Sequence, residues 1–190
     1  MLDQGDGWFM EELVVLVDQA DQVVGTGEKL LVHLRGDLHR AFSIFIFNSS
    51  GELLLQQRNR EKYHTPGLWS NTCCSHPRPG EELGSAARRR LWEEMGFTCK
   101  LREIFSCYYK LQLDKNLIEH EHDHIFIGFF DGKPQPDPAE VANWRWLTLE
   151  KIYGEMKKSP SLFTPWFALI MQNYASQLYK ALERKADKEI

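Results

Sequence analysis

The stretch His76-Pro-Arg-Pro-Gly-Glu-Glu-Leu-Gly-Ser-Ala-Ala-Arg-Arg-Arg-Leu-Trp-Glu-Glu-Met-Gly96 decides the fold. Two prolines and Gly80 predict a loop, followed by a helix from about Glu82 to Met95. Gly96 closes it, because glycine takes up the left-handed conformation of a helix end freely. At 100° per residue Leu83, Ala87 and Leu91 form an apolar face, and Arg90 and Glu94 project from that same face. An unpaired ion on a packing face costs several kcal/mol, roughly. Two readings follow: Arg90 and Glu94 pair at i, i+4 and seal the core edge, or Glu94 reaches a metal ion in a cleft.

Working outward, strand-like runs occur at Leu13–Val17, Ala41–Phe47 and Leu53–Gln57 before the helix, and at Ile125–Phe130 and Trp144–Leu147 after it. Residues 98–109 can extend as a further strand. A second long helix follows Pro165, with Phe163, Phe167, Ile170, Tyr174, Leu178 and Leu182 recurring every three or four positions. Strands, a central helix, more strands and a terminal helix predict a mixed α+β architecture. The 190 residues suit a single domain spanning 1–190, with the amphipathic C-terminal helix at about 161–185.

Composition narrows the function. A net charge of −4 gives no electrostatic support to a nucleic-acid partner. No apolar run reaches the ~18–20 residues that cross a bilayer, so no membrane association is expected. The start, MLDQGDGWFMEEL, is acidic where a secretory signal is basic and then apolar, so the expected location is cytoplasmic. Cys73, Cys74, Cys99 and Cys107 contain no C-x-x-C pair, which argues against a zinc knuckle. Cys99 and Cys107 read as small buried hydrophobes.

The run Glu119-His-Glu-His-Asp-His124 leads into apolar Ile125, Ile127 and Phe129. On a strand Glu119, Glu121 and Asp123 share the face of those apolar residues, and His120, His122 and His124 share the other. Carboxylates entering an apolar interior repel unless a cation or proton joins them. The three histidines can chelate a metal, but on a solvent face they need no explanation, and that plainer reading is preferred. In Trp69-Ser-Asn-Thr-Cys-Cys-Ser-His-Pro77 the proline biases His76 toward an extended backbone. Cys74 and His76 then share a side and Cys73 faces away. A thiol beside imidazole or metal has its thiolate favoured. With His33 and His39, just before the strand at Ala41, three histidines and two same-face carboxylates make a mixed N/O site for a divalent transition metal.

These segments, His33…Leu38-His-Arg-Ala-Phe-Ser43, Ser70-Asn-Thr-Cys-Cys-Ser-His-Pro77, Glu119-His-Glu121 and Thr164-Pro-Trp166, resemble the type I isopentenyl-diphosphate isomerases, in that order and over residues 10–172. The resemblance implies a Nudix fold, a mixed sheet sandwiched by helices. Glu81, Arg89, Glu93, Glu94 and Gly96 fit the Nudix box; Ser75 replaces its first glycine, and Arg90 stands where Nudix hydrolases carry a metal-binding glutamate. The His33-to-His39 gap is one residue tighter than in some members.

The resemblance further implies that His33, His39, His76, Glu119 and Glu121 ligate one divalent metal (manganese, zinc or magnesium). It makes Cys74 and Glu121 the catalytic pair, assisted by Tyr109. Glu94 then helps hold a magnesium ion carried in with the diphosphate, and Lys29, Arg58 and Lys62 contact that diphosphate. Trp166 offers a π-face to a cation; read without the resemblance, it anchors the terminal helix. The implied substrate is a small diphosphate and the implied state a monomer or weak homodimer. The alternatives are a Nudix hydrolase of a nucleoside diphosphate derivative, against which Arg90 argues, and a non-catalytic metal-binding module, which has no use for Cys74, Trp166 and the three cations together.

Overall fold

The computed structural model describes residues 12–186; the acidic segment 1–11 and the last four positions of the 1–190 assignment lie outside the described residues. In chain order the elements are β1 (Leu13–Val17), β2 (Val23–Glu28), α1 (Lys29–Arg35), β3 (His39–Phe47), β4 (Leu53–Arg58), β5 (Trp69–Ser70), β6 (Cys73–Ser75), α2 (Leu83–Met95), β7 (Arg102–Gln112), β8 (Ile118–Phe129), β9 (Val141–Leu147), α3 (Leu149–Lys158) and α4 (Pro165–Ala186). The long helices and the apolar strands lie where periodicity places them. β2, α1 and α3 were not anticipated. β2 is a largely exposed edge strand in which two glycines break up the strand-forming Val23, Val24 and Thr26. α1 is seven residues long and capped by a glutamate, Glu28, whose carboxylate accepts from the Leu30 and Leu31 amides. Neither its length nor its cap gives the usual sequence signal.

β3 organises the sheet. Along one edge it pairs in parallel with β8 over nine residues, from His39 opposite Glu121 to Phe47 opposite Phe129. Along its other edge it meets β1 at His39, β6 at Phe42–Ile44 and β4 at Phe47 in turn. β3 and β4 therefore diverge after one shared pair, and the segment 69–75 wedges between them. Buried side chains of that wedge replace the missing ladder: the Thr72 hydroxyl donates to the Leu54 carbonyl at 2.7 Å and accepts from the Ile46 amide at 3.0 Å. Such pairing matters because an unmet buried amide costs about 1–3 kcal/mol.

Alternation on β3 divides the core. Phe42, Ile44 and Ile46 pack with Ala86, Ala87, Leu91 and Met95 of α2. Phe45 and Phe47 pack on the other face with Ile152 of α3 and Phe167, Ile170 and Leu178 of α4. The sheet is thus sandwiched by helices, as expected. Gly96 ends α2 at φ 71° and lies so close to the Gln135 carbonyl that a Cβ there would meet it at 2.1 Å. On α2 Arg90 donates to Glu94 at 2.6 Å, the i, i+4 pair of the first reading. Arg89 bridges Glu81 and Glu93, so the charged motif of this helix is knit into one network.

Candidate active site

Sheet register assembles the site on the α4 face. Tyr109 of β7 lies opposite Glu121 of β8, which lies opposite His39 of β3, so three chemical groups form one row. Ser43 lies opposite Cys74 in the next strand over. α1, between its Glu28 cap and a left-handed Gly36, folds His33 back beside this row, with its ring centroid 4.8 Å from that of His39. The short gap between the two histidines is thus the length of one capped turn of helix and its exit.

One ligating atom from each of His33, His39, His76 and Glu121 falls within 4.8 Å of every other. His33 Nδ1 donates to the Lys29 carbonyl at 2.7 Å and His39 Nδ1 to the Asp37 carbonyl at 2.9 Å. Those outer bonds leave both Nε2 lone pairs pointing inward, buried and without a hydrogen-bond partner among the described residues, as metal-binding imidazoles are commonly held. Glu119 Oε2 is likewise unpartnered, 3.2 Å from His33 Nε2. A lone pair set against a lone pair at that distance calls for a cation, so these residues fit a divalent metal.

The protonation pattern agrees. Burial pulls the His33 imidazole down, but Glu119 beside it more than reverses this, so a proton takes the cation's place. Burial pushes the Glu119 carboxyl up, yet His33 and His64 hold it well below the usual range. Glu121, raised by burial and by Glu119, is brought below its ordinary value by His39 and His76. Burial lowers His76 to about 4, leaving it neutral. Asp123 goes the other way: burial and the Glu121 charge raise it well above the ordinary value. His120, His122 and His124 lie on the opposite face, as alternation requires.

Tyr109 donates to Glu121 Oε2 at 2.5 Å, and burial with the Glu121 and Asp123 charges keeps its phenol protonated. Cys74 is half-buried and donates to Asn71 Oδ1 at 3.0 Å, with the Ser43 hydroxyl at 3.5 Å. Cys73 points the other way, into the α2 core, as the extended geometry predicts. The favoured thiolate is corrected: burial and the nearby Asp123 push the Cys74 thiol up to about 12, and its hydrogen bonds to Ser43 and Asn71 only temper this. Alkylation of Cys74 by iodoacetamide is accordingly expected to speed up about tenfold per pH unit through pH 10; a plateau near the ordinary ~8.5 would contradict a raised pKa.

All twelve candidate residues except His33 and His39 line one cleft, and those two stand beside His76 and Glu121 of its lining. Lys29 pairs with Glu12 at 2.9 Å, and Lys62 with Glu140. Glu94 has both oxygens engaged, by Arg90 and by Gln56. Trp166 is buried against the sheet at the start of α4, donates to Ser70 Oγ at 3.1 Å and has the Arg58 guanidinium 5.4 Å over its ring. His64 was missed. Its Nε2 lies 3.1 Å from Glu119 Oε1 and its ring 5.8 Å from Trp166, but it sits in an irregular loop that carries no periodicity. Ser43 and Asn71 were missed as partners of Cys74, although both lie inside the quoted motifs.

Residues 37–167 match the NUDIX domain. The crystal structure of DR0079 from Deinococcus radiodurans is similar in fold, with a TM-score of 0.72 at 22% identity over 86% of this chain and 99% of that one. The isopentenyl-diphosphate Delta-isomerase of Burkholderia multivorans is 53% identical over 86% of this chain and 93% of its own length. That of Serratia proteamaculans is 51% identical over 86% and 92%. With the charged helix, the His/Glu cluster and the cleft cysteine all in place, the chain belongs to the isopentenyl-diphosphate Delta-isomerase family of NUDIX-fold proteins.

Proposed function

We propose that the chain interconverts isopentenyl diphosphate and dimethylallyl diphosphate, a step of isoprenoid biosynthesis, by adding a proton at one carbon and removing one at another. The observation that carries this is a pair of proton-bearing groups, Cys74 and Tyr109, in the same cleft as an ionised carboxylate, Glu121. A proton added to the terminal carbon of the substrate alkene leaves a tertiary carbocation; loss of a proton from the adjacent methylene completes the shift. Each member of the pair Cys74 and Glu121 gives a proton in one direction and takes one in the other, because the reaction is reversible. Tyr109, bonded to Glu121 Oε2, relays or steadies that proton.

A divalent ion held by His33, His39, His76, Glu119 and Glu121, with manganese, zinc or magnesium the candidates, supplies positive charge that makes the Glu121 carboxyl more acidic. Lys29, Arg58 and Lys62 receive the diphosphate. The partly exposed Lys29–Glu12 and Lys62–Glu140 pairs are of a kind worth about 0–1 kcal/mol, so exchanging them for a diphosphate is inexpensive. Glu94 would help hold a magnesium ion carried in with that diphosphate. Trp166 offers its ring to the carbocation, a contact worth about 2 kcal/mol when desolvated, in a cleft that must exclude water. The reading is completed by a monomer or weak homodimer acting in the cytoplasm.

Turnover in heavy water tests the reading. Deuterium is expected first in the new methyl group of dimethylallyl diphosphate, with no phosphate released. Unlabelled product, or phosphate appearing as fast as substrate is consumed, would instead identify a hydrolase, since attack at phosphorus exchanges no carbon-bound hydrogen.

A further inference from the structure

On the sheet face opposite the cleft, His122 and His124 of β8 stand two apart, with ring centroids 5.2 Å from each other. Asp21, in the turn between β1 and β2, approaches them, and one ligating atom from each of the three lies within 4.8 Å of the others. His124 has a carboxylate oxygen at each ring nitrogen: Glu103 Oε1 is 2.8 Å from Nδ1, and Asp21 Oδ2 is 3.0 Å from Nε2. A neutral imidazole carries one N–H and answers one of these. The other needs a second proton or a metal ion. A second proton leaves His122 Nδ1 unexplained, because that atom is buried without a partner among the described residues while Nε2 bonds to Ser106 at 3.2 Å. An ion answers both.

We propose that Asp21, His122 and His124 form a second divalent-metal site, suited to a borderline transition ion such as zinc, nickel or copper. The surroundings match what such ligands need. Glu103 and Ser106 hold the outer nitrogens of the two rings, the arrangement that fixes ring orientation and raises ligand basicity. Arg40 takes Asp21 Oδ1 at 2.8 Å and the Asp21 carbonyl at 2.6 Å, which anchors the turn and leaves Oδ2 for the ion. Two imidazoles and one carboxylate leave a fourth position open to water, and this donor set favours zinc, nickel or copper over magnesium. The bound ion would tie the β1–β2 turn to β8 from outside, while the same strand carries Glu119 and Glu121 inward.

The test uses the protein as isolated, with its interior metal retained, dialysed against micromolar zinc and analysed for total metal of all elements. One equivalent per chain beyond the interior site is expected. The His122→Ala/His124→Ala variant should lose that equivalent, and Asp21→Asn should bind it at least tenfold more weakly, with isomerase turnover within about twofold of the parent in both. Copper added in place of zinc should show nitrogen coupling in its EPR spectrum in the parent and not in the double variant. No extra equivalent in the parent, or equal uptake in both variants, overturns the proposal. If the double variant fails to fold, Asp21→Asn, on a surface turn, decides alone.

Discussion

Replacing Cys74 with alanine is expected to lower turnover about 10³-fold or more, while Cys73→Ala costs less than about threefold. The two thiols are chain neighbours with opposite surroundings. Cys74 opens on the cleft and donates to Asn71, and its removal deletes one of two proton carriers, a role worth roughly 10²–10⁴ in rate. Cys73 is fully buried against α2, and trimming its sulfur leaves a small void costing on the order of 1 kcal/mol of stability. The check is steady-state turnover beside thermal midpoint and metal content for both variants. Cys74→Ala should keep its metal and its midpoint; Cys73→Ala should lose a few degrees and keep its activity. Equal rate losses in two folded variants would show that the sidedness of this segment does not govern catalysis.

Glu121→Gln is expected to abolish both isomerisation and deuterium exchange, by about 10³-fold at least, and to weaken metal binding by about tenfold or more. The double effect follows from how the carboxylate is shared. Oε1 faces His76 at 3.1 Å and His39 at 3.5 Å, while Oε2 accepts from Tyr109. An amide presents one oxygen and one NH₂ group, so it serves one side at the expense of the other. Metal must therefore be quantified on the same sample as turnover. Tyr109→Phe separates the two losses, because it touches only the Oε2 side: its metal content should stay at one equivalent while turnover falls. A Glu121→Gln protein that retains full metal and full exchange would remove Glu121 from the chemistry altogether.

Much of this arrangement is legible in the sequence, for definite reasons. Strand alternation suffices to turn Glu119, Glu121 and Asp123 inward, and a proline after His76 suffices to separate Cys74 from Cys73. Helical periodicity places α2 and α4. What stays hidden depends on contacts distant in the chain. α1 is too short to show a period, so nothing local says that His33 is carried by a helix. His64 reaches Glu119 across 55 positions from a loop, where only tertiary structure brings them together. The Cys74 thiol illustrates a different limit. Its sequence neighbours suggest a thiolate, but burial and Asp123, a residue 49 positions away, decide its proton. Local rules give direction and face; electrostatics requires the assembled interior.

The parallel pairing of β3 with β8 carries a consequence for folding fidelity. From Ile125 to Phe129 β8 is apolar on both faces, so that half of the strand discriminates weakly between alignments. The half that discriminates is Glu119 to His124, where acids alternate with imidazoles. A slip of one residue would send three imidazoles into the interior and three carboxyls out. Gly128 adds a steric stop, since a side chain brought to its place would meet Cys99 Sγ at 2.6 Å and Ile46 Cδ1 at 2.9 Å. The groups that hold the metal and move the proton thus also serve as the alignment key of the central strand pair. A molecule misaligned there would possess no weakened site but none at all.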